Sequence, residues 1–204
     1  MLLLKITAPF ATFTNSRSRE YAASYPYPPP GTIYGMLLAL VGETDQTRHL
    51  GVKIAMALPN PDIALVSLPK SITVLRTFKR RKKNDINHPS NSRPDYQEVL
   101  CGLNLVVCID STEDANNLEN RLVQALTNPE TIDRFGGLSL GESRDLIDDL
   151  RILDRLPSSV QWLVKDSKGK VALPIWVDYD GSENTRWEMF SLGGFCEEVF
   201  CQIT

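Results

Sequence analysis

The chain has 204 residues, 42% of them hydrophobic, and a formal net charge of −3. That length allows one large domain, or a domain with a sizeable appendage, around a real core. The apolar run Met1–Leu4 is too short for a signal peptide, and no other run approaches the roughly 18 residues of a membrane span, so a soluble, cytoplasmic protein with no membrane partner is expected. Cys101, Cys108, Cys196 and Cys201 form no paired CxxC pattern, and buried free thiols are the reading they favour over metal ligands or disulfides. The charge is unevenly spread. Between Lys70 and Arg93 eight basic residues meet one acid, Asp85, a local net charge of +7 on an otherwise acidic chain. Such a distribution suggests a polyanion held at one place.

In chain order, Leu2–Phe13 begins as a strand and is expected to end in a loop at Pro9. Thr14–Tyr21 is polar and basic, a surface loop. Ser24–Gly42, SYPYPPPGTIYGMLLALVG, is a stiff proline-rich approach followed by a helix. Thr32 is the predicted N-cap, Ile33, Met36, Leu37, Leu40 and Val41 are the buried stripe, and Gly42 is the stop. Val52–Leu58 is a short apolar strand ended by Pro-Asn-Pro. Ile63–Phe78 and Tyr96–Asp110 read as two long strands joined by the polar, charged stretch RRKKNDINHPSNSRPD, a protruding hairpin or thumb. A second helix is predicted over Ser111–Leu126, with Ser111 as cap, Asp114 completing a capping box, and Leu118, Leu122, Val123 and Leu126 as its stripe. RFGGLSLGESRDLIDDLRIL is a glycine-rich turn leading into an amphipathic run. WLVKDSKGKVALPIWVDY signals a hairpin turning at Lys168-Gly169, and two short apolar segments close the chain.

This order predicts an α+β fold on the ferredoxin-like, RNA-recognition-like βαββαβ plan, with a long basic β-hairpin thumb and a β-rich C-terminal extension. The expected division is a domain over 1–155, with the thumb inserted at about 76–96, and an extension over 156–204 packed on it.

Three sets of residues point to phosphate or nucleic-acid binding. The thumb set is Arg76, Phe78, Lys79, Arg80, Arg81, Lys82 and Lys83, in which cations would lie along a strand and Phe78, with Tyr96 opposite, would stack on or wedge between bases. The alternative is a solubilising loop that protects a strand edge. The second set, Arg17, Arg19, Tyr21, Tyr25, Tyr27 and Thr32, interleaves cations and aromatics before a helix N-terminus, which favours anions; the alternative is tyrosines packed on the sheet and arginines on an ordinary surface. The third is Gly136, Gly137, Ser139, Gly141 and Ser143. It lacks the Gly-Lys-Ser/Thr ending of a phosphate loop and the spacing of a dinucleotide fingerprint, and reads equally as a close approach to a sugar-phosphate chain or as a tight turn.

No catalytic residues, metal ligands or cofactor site are assigned. His49 and His88 have no carboxylate or cysteine partner at informative spacing, although His88 with a tyrosine or lysine would suffice for metal-free RNA cleavage. The acids Glu142, Asp145, Asp148 and Asp149 are interspersed with Arg144 and Arg151 and read as a solvated helical face in preference to a magnesium site.

The strand ending in APFATF, the short basic loop, and then YPYPPPGTIYGMLLALVG resemble the opening of the CRISPR-associated Cas five family of the RAMP superfamily, and RFGGLSLGES resembles that family's glycine-containing segment. The resemblance implies a subunit of a type I effector complex (Cascade) with a ferredoxin-like body and a thumb. Such a subunit binds the 5′ handle of the CRISPR RNA and caps the filament of Cas seven backbone subunits beside the large subunit, near the motif-proximal side of target DNA. Carried over by position, Arg17, Arg19 and the Tyr25–Thr32 loop would lie at the handle, Arg76–Lys83 would be the thumb, and Gly136–Ser143 a second RNA-side loop. The resemblance implies a non-catalytic ribonucleoprotein component; the alternative is a metal-independent endoribonuclease that processes precursor repeats, whose tyrosine, lysine and histidine residues have no clear counterparts here.

Overall fold

In Leu2–Ala11 every second side chain is apolar up to Ala8, and burial follows the same rhythm: Leu2, Leu4, Ile6 and Ala8 are buried while the residues between them are partly exposed. That strand, β1, belongs to a computed structural model that describes residues 1–15, 18, 21–59, 70–78, 92–179 and 183–204, with backbone alone at 75–78 and 92–93. The other strands are β2 (Tyr21–Ala22), β3 (Lys53–Pro59), β4 (Lys70–Phe78), β5 (Ser92–Asp110), β6 (Asp149–Ile152), β7 (Val160–Lys165), β8 (Val171–Trp176), β9 (Arg186–Gly193) and β10 (Cys201–Gln202); the helices are α1 (Pro30–Leu40) and α2 (Leu118–Thr127). The fold is α+β, as expected from the sequence.

Among the described residues the strands join in one sheet of order β6-β1-β5-β3-β7-β9-β8. β1 is antiparallel to both β5 and β6, and β3 to both β5 and β7. β10 adds to β3, and β2 runs parallel to β5 over Tyr21↔Tyr96. The main core lies between one sheet face and the two helices, with Leu4, Ile6, Ile54, Leu105 and Ile109 meeting Ile33, Leu37, Leu118 and Leu122. A smaller cluster on the opposite face collects Ala55, Ala57, Val106, Cys108, Trp162 and Val199.

β1 does not end at Pro9. It continues to Ala11, but the inward side changes: Phe10 is exposed and Ala11 and Phe13 are buried. β5 makes the same change at Gly102, whose φ is +67; Leu103 and Leu105 face the main core on one side of it and Leu100 on the other. Register is kept across the break, with Ala8↔Leu103 and Ala11↔Leu100. Pro9 has no N–H to give a ladder and Gly102 has no Cβ to resist a left-handed backbone, so both strands bend together.

Beyond this bend β5 pairs with β4 from Lys70↔Leu100 to Phe78↔Ser92, so the expected thumb legs are paired in register there, the second starting at Ser92 and not at Tyr96; residues 63–69 of the first leg lie outside the described residues. Lys79–Lys83 and the rest of the tip lie outside the described residues.

The first helix starts two residues before the expected cap. Pro29 is the N-cap, Pro30 is the first helical residue, and Thr32 lies inside the helix with its N–H on the Pro29 carbonyl (3.0 Å). Proline suits that position because its fixed φ is already helical and its missing N–H would have been unpaired. The expected stripe is buried, and Gly42, at φ +66, ends the helix; a Cβ there would sit 2.2 Å from the Asp133 carbonyl oxygen.

The second helix begins at Leu118, seven residues later than predicted. Ser111 and Asp114 still cap it, from a distance. Ser111 Oγ accepts the Glu119 N–H while Glu119 Oε1 accepts the Ser111 N–H, and Asp114 Oδ2 accepts the Leu118 N–H at 2.7 Å. The actual N-cap, Asn117, adopts φ 49 and accepts from the Asn120 N–H. Leu118, Leu122 and Ala125 are the buried positions, and Val123 is exposed.

Two further expectations are corrected. The acidic run is not a helical face: residues 139–148 make turns, and Asp149 begins β6. The Lys168-Gly169 turn exists, closed by the Gly169 N–H on the Asp166 carbonyl (2.7 Å), but β7 and β8 do not pair with each other. β9 lies between them, and Gly169 crosses it so closely that a Cβ would meet the Phe190 carbonyl oxygen at 2.4 Å. The four cysteines are free; Cys108 and Cys201 are buried, with burial pushing their thiols up to about 11 and about 12, and Cys101 and Cys196 are partly exposed.

His49 belongs to the scaffold. It is fully buried, with Nδ1 2.8 Å from Asp114 Oδ2 and Nε2 2.8 Å from Arg121 Nη1. A guanidinium only donates, so Nε2 accepts and the imidazole is neutral with its proton on Nδ1. Arg121 also donates to Glu43 (2.6 Å) and to the Val41 carbonyl, tying α2 to the end of α1. That Arg121 hydrogen bond holds the Glu43 carboxyl below its ordinary value of 4.5 against the opposing effect of burial. The stability from this pairing is therefore present above that ordinary value and is lost as pH falls through the lower folded value. Arg121→Ala leaves Glu43 buried without its main partner and is expected to cost about 3 kcal/mol near neutral pH. Urea unfolding measured from about pH 7 to about pH 3 should show the gap between wild type and variant narrowing on the acid side.

Candidate functional site

The chain from Thr12 to Pro30 is stitched at its base. Thr14 and Ser24 form an isolated antiparallel bridge, the Tyr25 N–H donates to the Phe13 carbonyl and the Asn15 N–H to the Ala23 carbonyl, each at 2.8 Å. The base is fastened to the thumb leg by Glu98, which accepts the Ser24 N–H (2.9 Å), Lys70 Nζ (3.0 Å) and the Tyr21 hydroxyl (3.1 Å). Burial alone would raise the Glu98 carboxyl; these donors outweigh it and hold it below its ordinary range. From here the chain runs through Pro28–Pro30 into α1. Gly31 packs against β8, where a Cβ would come within 3.3 Å of the Pro174 and Ile175 carbonyl oxygens.

The glycine-containing segment folds back on itself. Ser139 bridges to Leu146, the Leu140 N–H donates to the Asp145 carbonyl (2.9 Å), and the Asp145 N–H donates to the Glu142 carbonyl (2.9 Å). Its tip rests on the approach loop and on the thumb leg. Gly141 has φ +107, and a Cβ there would lie 2.3 Å from the Thr12 carbonyl oxygen. Gln97 Nε2 donates to Glu142 Oε1, Arg144 donates to Gln97 Oε1, and Arg144 also pairs with Glu142 at 2.9 Å.

Between these parts lies an open groove of about 530 Å³. Thr12–Thr14, Tyr25, Pro29 and Thr32 form one wall, Gly141 and Glu142 one end, and Pro174, Val177, Thr185 and Trp187 the other wall. A second hollow of about 400 Å³ continues past Tyr25 and Trp187 towards Asn15 and Lys170. Tyr25 is buried, and Trp187, 42% exposed, stands 6.3 Å from it between ring centroids at a tilt of 60°. The Thr12 hydroxyl is buried and has no hydrogen-bond partner among the described residues. The arrangement offers an aromatic edge, threonine hydroxyls and a helix start, with Lys170 at the far end of the second hollow; it suits a partly planar polar ligand.

Of the expected site residues, Tyr25, Thr32 and Gly141 meet in this groove. Tyr27 packs on the main core, where burial raises its phenol. Ser139 and Ser143 serve the turn, and Gly136 and Gly137 lie at its outer end, Gly137 against Leu146. Arg76 and Phe78 pair through their backbones with Pro94 and Ser92. Arg17, Arg19, His88 and Lys79–Lys83 lie outside the described residues. Sequence reasoning missed Thr12, Thr185 and Trp187. An outward-facing tryptophan in a strand was the available signal.

The family model described as CRISPR-associated protein (Cas_Cas5) matches residues 1–181. A Myxococcus xanthus (strain DK1622) protein, CRISPR-associated protein Cas5, is 38% identical over 206 residues, covering 98% of this chain and 91% of that one. The chain belongs to the CRISPR-associated Cas5 family. Solved structures share its fold: a chain of a CRISPR RNA-guided surveillance complex (TM-score 0.59, 13% identity, 94% of this chain and 88% of that one) and a crystal structure of a Cas protein (TM-score 0.51, 14% identity, 94% and 93%). In this Cas5 family member the family-bearing stretch before α1 is the groove's first wall. Among the described residues no group of three or more histidine, cysteine or carboxylate side chains is arranged to hold a metal ion, and no helix is long and apolar enough to cross a membrane.

Gly141→Ala puts a Cβ into the Thr12 carbonyl and strains a left-handed backbone. A loss of about 3 kcal/mol is expected, read as a lowered urea midpoint, whereas Gly136→Ala, where the space is open but φ is +78, should cost about 1 kcal/mol.

Proposed function

We propose that this Cas5 family member is a non-catalytic, RNA-binding subunit of a type I CRISPR effector complex (Cascade), acting in the cytoplasm, and that the groove beside Tyr25 and Trp187 receives the 5′ handle of the CRISPR RNA. The observation that carries the reading is the convergence of three distant segments on one open, aromatic-edged groove: the approach to α1, the Gly141 turn and β9. Unstacked bases of single-stranded RNA bind on aromatic faces and hydrogen-bond with nearby polar groups, and helix starts favour phosphate. The RNA-guided complex named for one structural neighbour is consistent with this role. The burial of His49 supports a non-catalytic subunit, since it withdraws one of the two histidines from any reacting centre.

The body is read as a ferredoxin-like unit over residues 1–155 with an extension over 156–204. Support comes from the strand order β6-β1-β5-β3, which is the order of an antiparallel βαββαβ sheet, and from β7 joining it only along the β3 edge. The thumb is read as the contact to RNA and to a Cas seven backbone subunit. On its legs Ile72, Val74 and Tyr96 are at least half exposed, an apolar strip on a projecting hairpin that favours a protein neighbour. The large subunit and target DNA near the motif-proximal side are the remaining proposed partners.

Handle-containing RNA should bind the purified chain or its complex at low salt, with log affinity falling by about 0.7 per phosphate contact against log salt. Trp187→Ala should weaken binding by about 1–3 kcal/mol, the worth of one stacked base, at an unchanged unfolding midpoint. Replacing Lys79–Lys83 by alanine should flatten the salt slope. Absence of handle-dependent binding at low salt defeats the reading.

A further inference from the structure

On the sheet face away from the helices is a concavity of about 410 Å³ that the groove does not reach. Lys5 of β1, Asn104 and Val106 of β5, Arg151 of β6 and Arg155 just beyond it line it, together with Leu153, Leu156 and Pro157. Lys5 and Arg151 are direct register partners, Lys5↔Arg151. Like charges directly opposite across a strand pair repel. A cation on β6, the last strand of the sheet path, has an ordinary use in repelling other sheet edges. Lys5 has no such use: it lies on an inner strand, is only partly exposed, and its side-chain ammonium has no hydrogen-bond or ion-pair partner among the described residues. Arg155 is likewise unpaired among them. Asp149 meets Arg151 only at Nε, 3.4 Å away, and Asp154 is the one acid in the lining. Three cations against one acid therefore give a local charge of +2 on a chain whose net charge is −3.

The second observation is Asn104. Its side-chain oxygen is shielded from solvent and accepts no hydrogen bond among the described residues. A buried acceptor calls for a donor, and an anion such as chloride or sulfate has none to offer. The lining thus asks one ligand for a negative group, a hydroxyl or amine donor, and an apolar or planar body to cover Val106, Leu153, Leu156 and Pro157. We propose that this concavity is a second binding site, taking a nucleotide whose phosphate meets Lys5, Arg151 and Arg155 and whose sugar hydroxyl donates to Asn104 Oδ1. Its volume is of the order of that of small-ligand sites, about 300–1,000 Å³. The proposal does not rest on the function assigned to the Tyr25–Trp187 groove.

The test is amide-resolved NMR on the full chain, titrated with adenosine 5′-monophosphate, adenosine, inorganic phosphate and an eight-residue oligoadenylate. The nucleotide should shift the resonances of Lys5, Val106, Leu153 and Arg155, with adenosine and phosphate each binding at least about fivefold more weakly, because adenosine lacks the negative group and phosphate lacks the body that covers Val106, Leu153, Leu156 and Pro157. Shifts from both nucleotide and oligomer identify a free nucleotide as sufficient occupant; shifts from the oligomer alone identify a strand; either supports the site. The pair Lys5→Gln with Arg155→Glu should erase the shifts at an unchanged unfolding midpoint, while Trp187→Ala should leave them. Shifts that survive the charge variant, that arise equally with phosphate alone, or that fall only on groove residues overturn the proposal. In the last case the reading of the groove stands by itself.

Discussion

The joint bend at Pro9 and Gly102 is the constraint from which the groove-bearing half of the molecule follows. Before it, β1 and β5 form the centre of a sheet whose alternate side chains fill the core. After it, both strands turn by one residue without losing register, so that Ala11, Phe13 and Leu100 continue the core while Phe10 swings outward. β5 can then serve as body strand and thumb leg in one element, and the chain leaving β1 stays fastened to it. A proline opposite a left-handed glycine achieves this at little cost, because Pro9 has no N–H to leave unpaired and Gly102 has no Cβ to strain at positive φ.

From that bend the groove is assembled by contacts onto backbone groups. Gly141 touches the Thr12 carbonyl, Gly31 touches the Pro174 and Ile175 carbonyls, and Glu98 accepts from the Ser24 N–H. Contacts onto backbone leave side chains free to line the groove, as Tyr25, Thr32 and Trp187 do. The buried His49–Asp114–Arg121–Glu43 chain works elsewhere, holding the two helices to each other behind the sheet. Support and recognition are thus separate, which allows substitutions to be tested for one without the other.

What could be read in advance was local. The stripe Ile33, Met36, Leu37, Leu40 and Val41 was legible because helical periodicity and burial coincide there. The thumb legs were legible from two β-branched runs around a charged stretch. The errors came where distant residues do the work of near ones. Ser111 and Asp114 look like the cap of a helix starting beside them, yet they satisfy N–H groups four to eight residues on. Lys168-Gly169 looks like a hairpin turn, yet a strand from later in the chain fills the space between its arms. The charges around Asp145 suggested a helical face because charge spacing alone cannot distinguish a helix from successive turns. The groove was half legible: Tyr25, Thr32 and Gly141 stand in motifs, whereas Trp187 acquires meaning only from the strand order that brings it opposite Tyr25.

The insertion of β9 between β7 and β8 bears on the timing of biosynthesis. β8 reaches the sheet only through β9, and the groove wall containing Pro174 and Trp187 needs both. During translation the approach loop, α1 and the Gly141 turn leave the ribosome first, and the wall closes only after Gly193 has emerged. Nascent chains therefore carry the approach loop without its opposing face, and the groove is complete only once β9 has paired with β7 and β8.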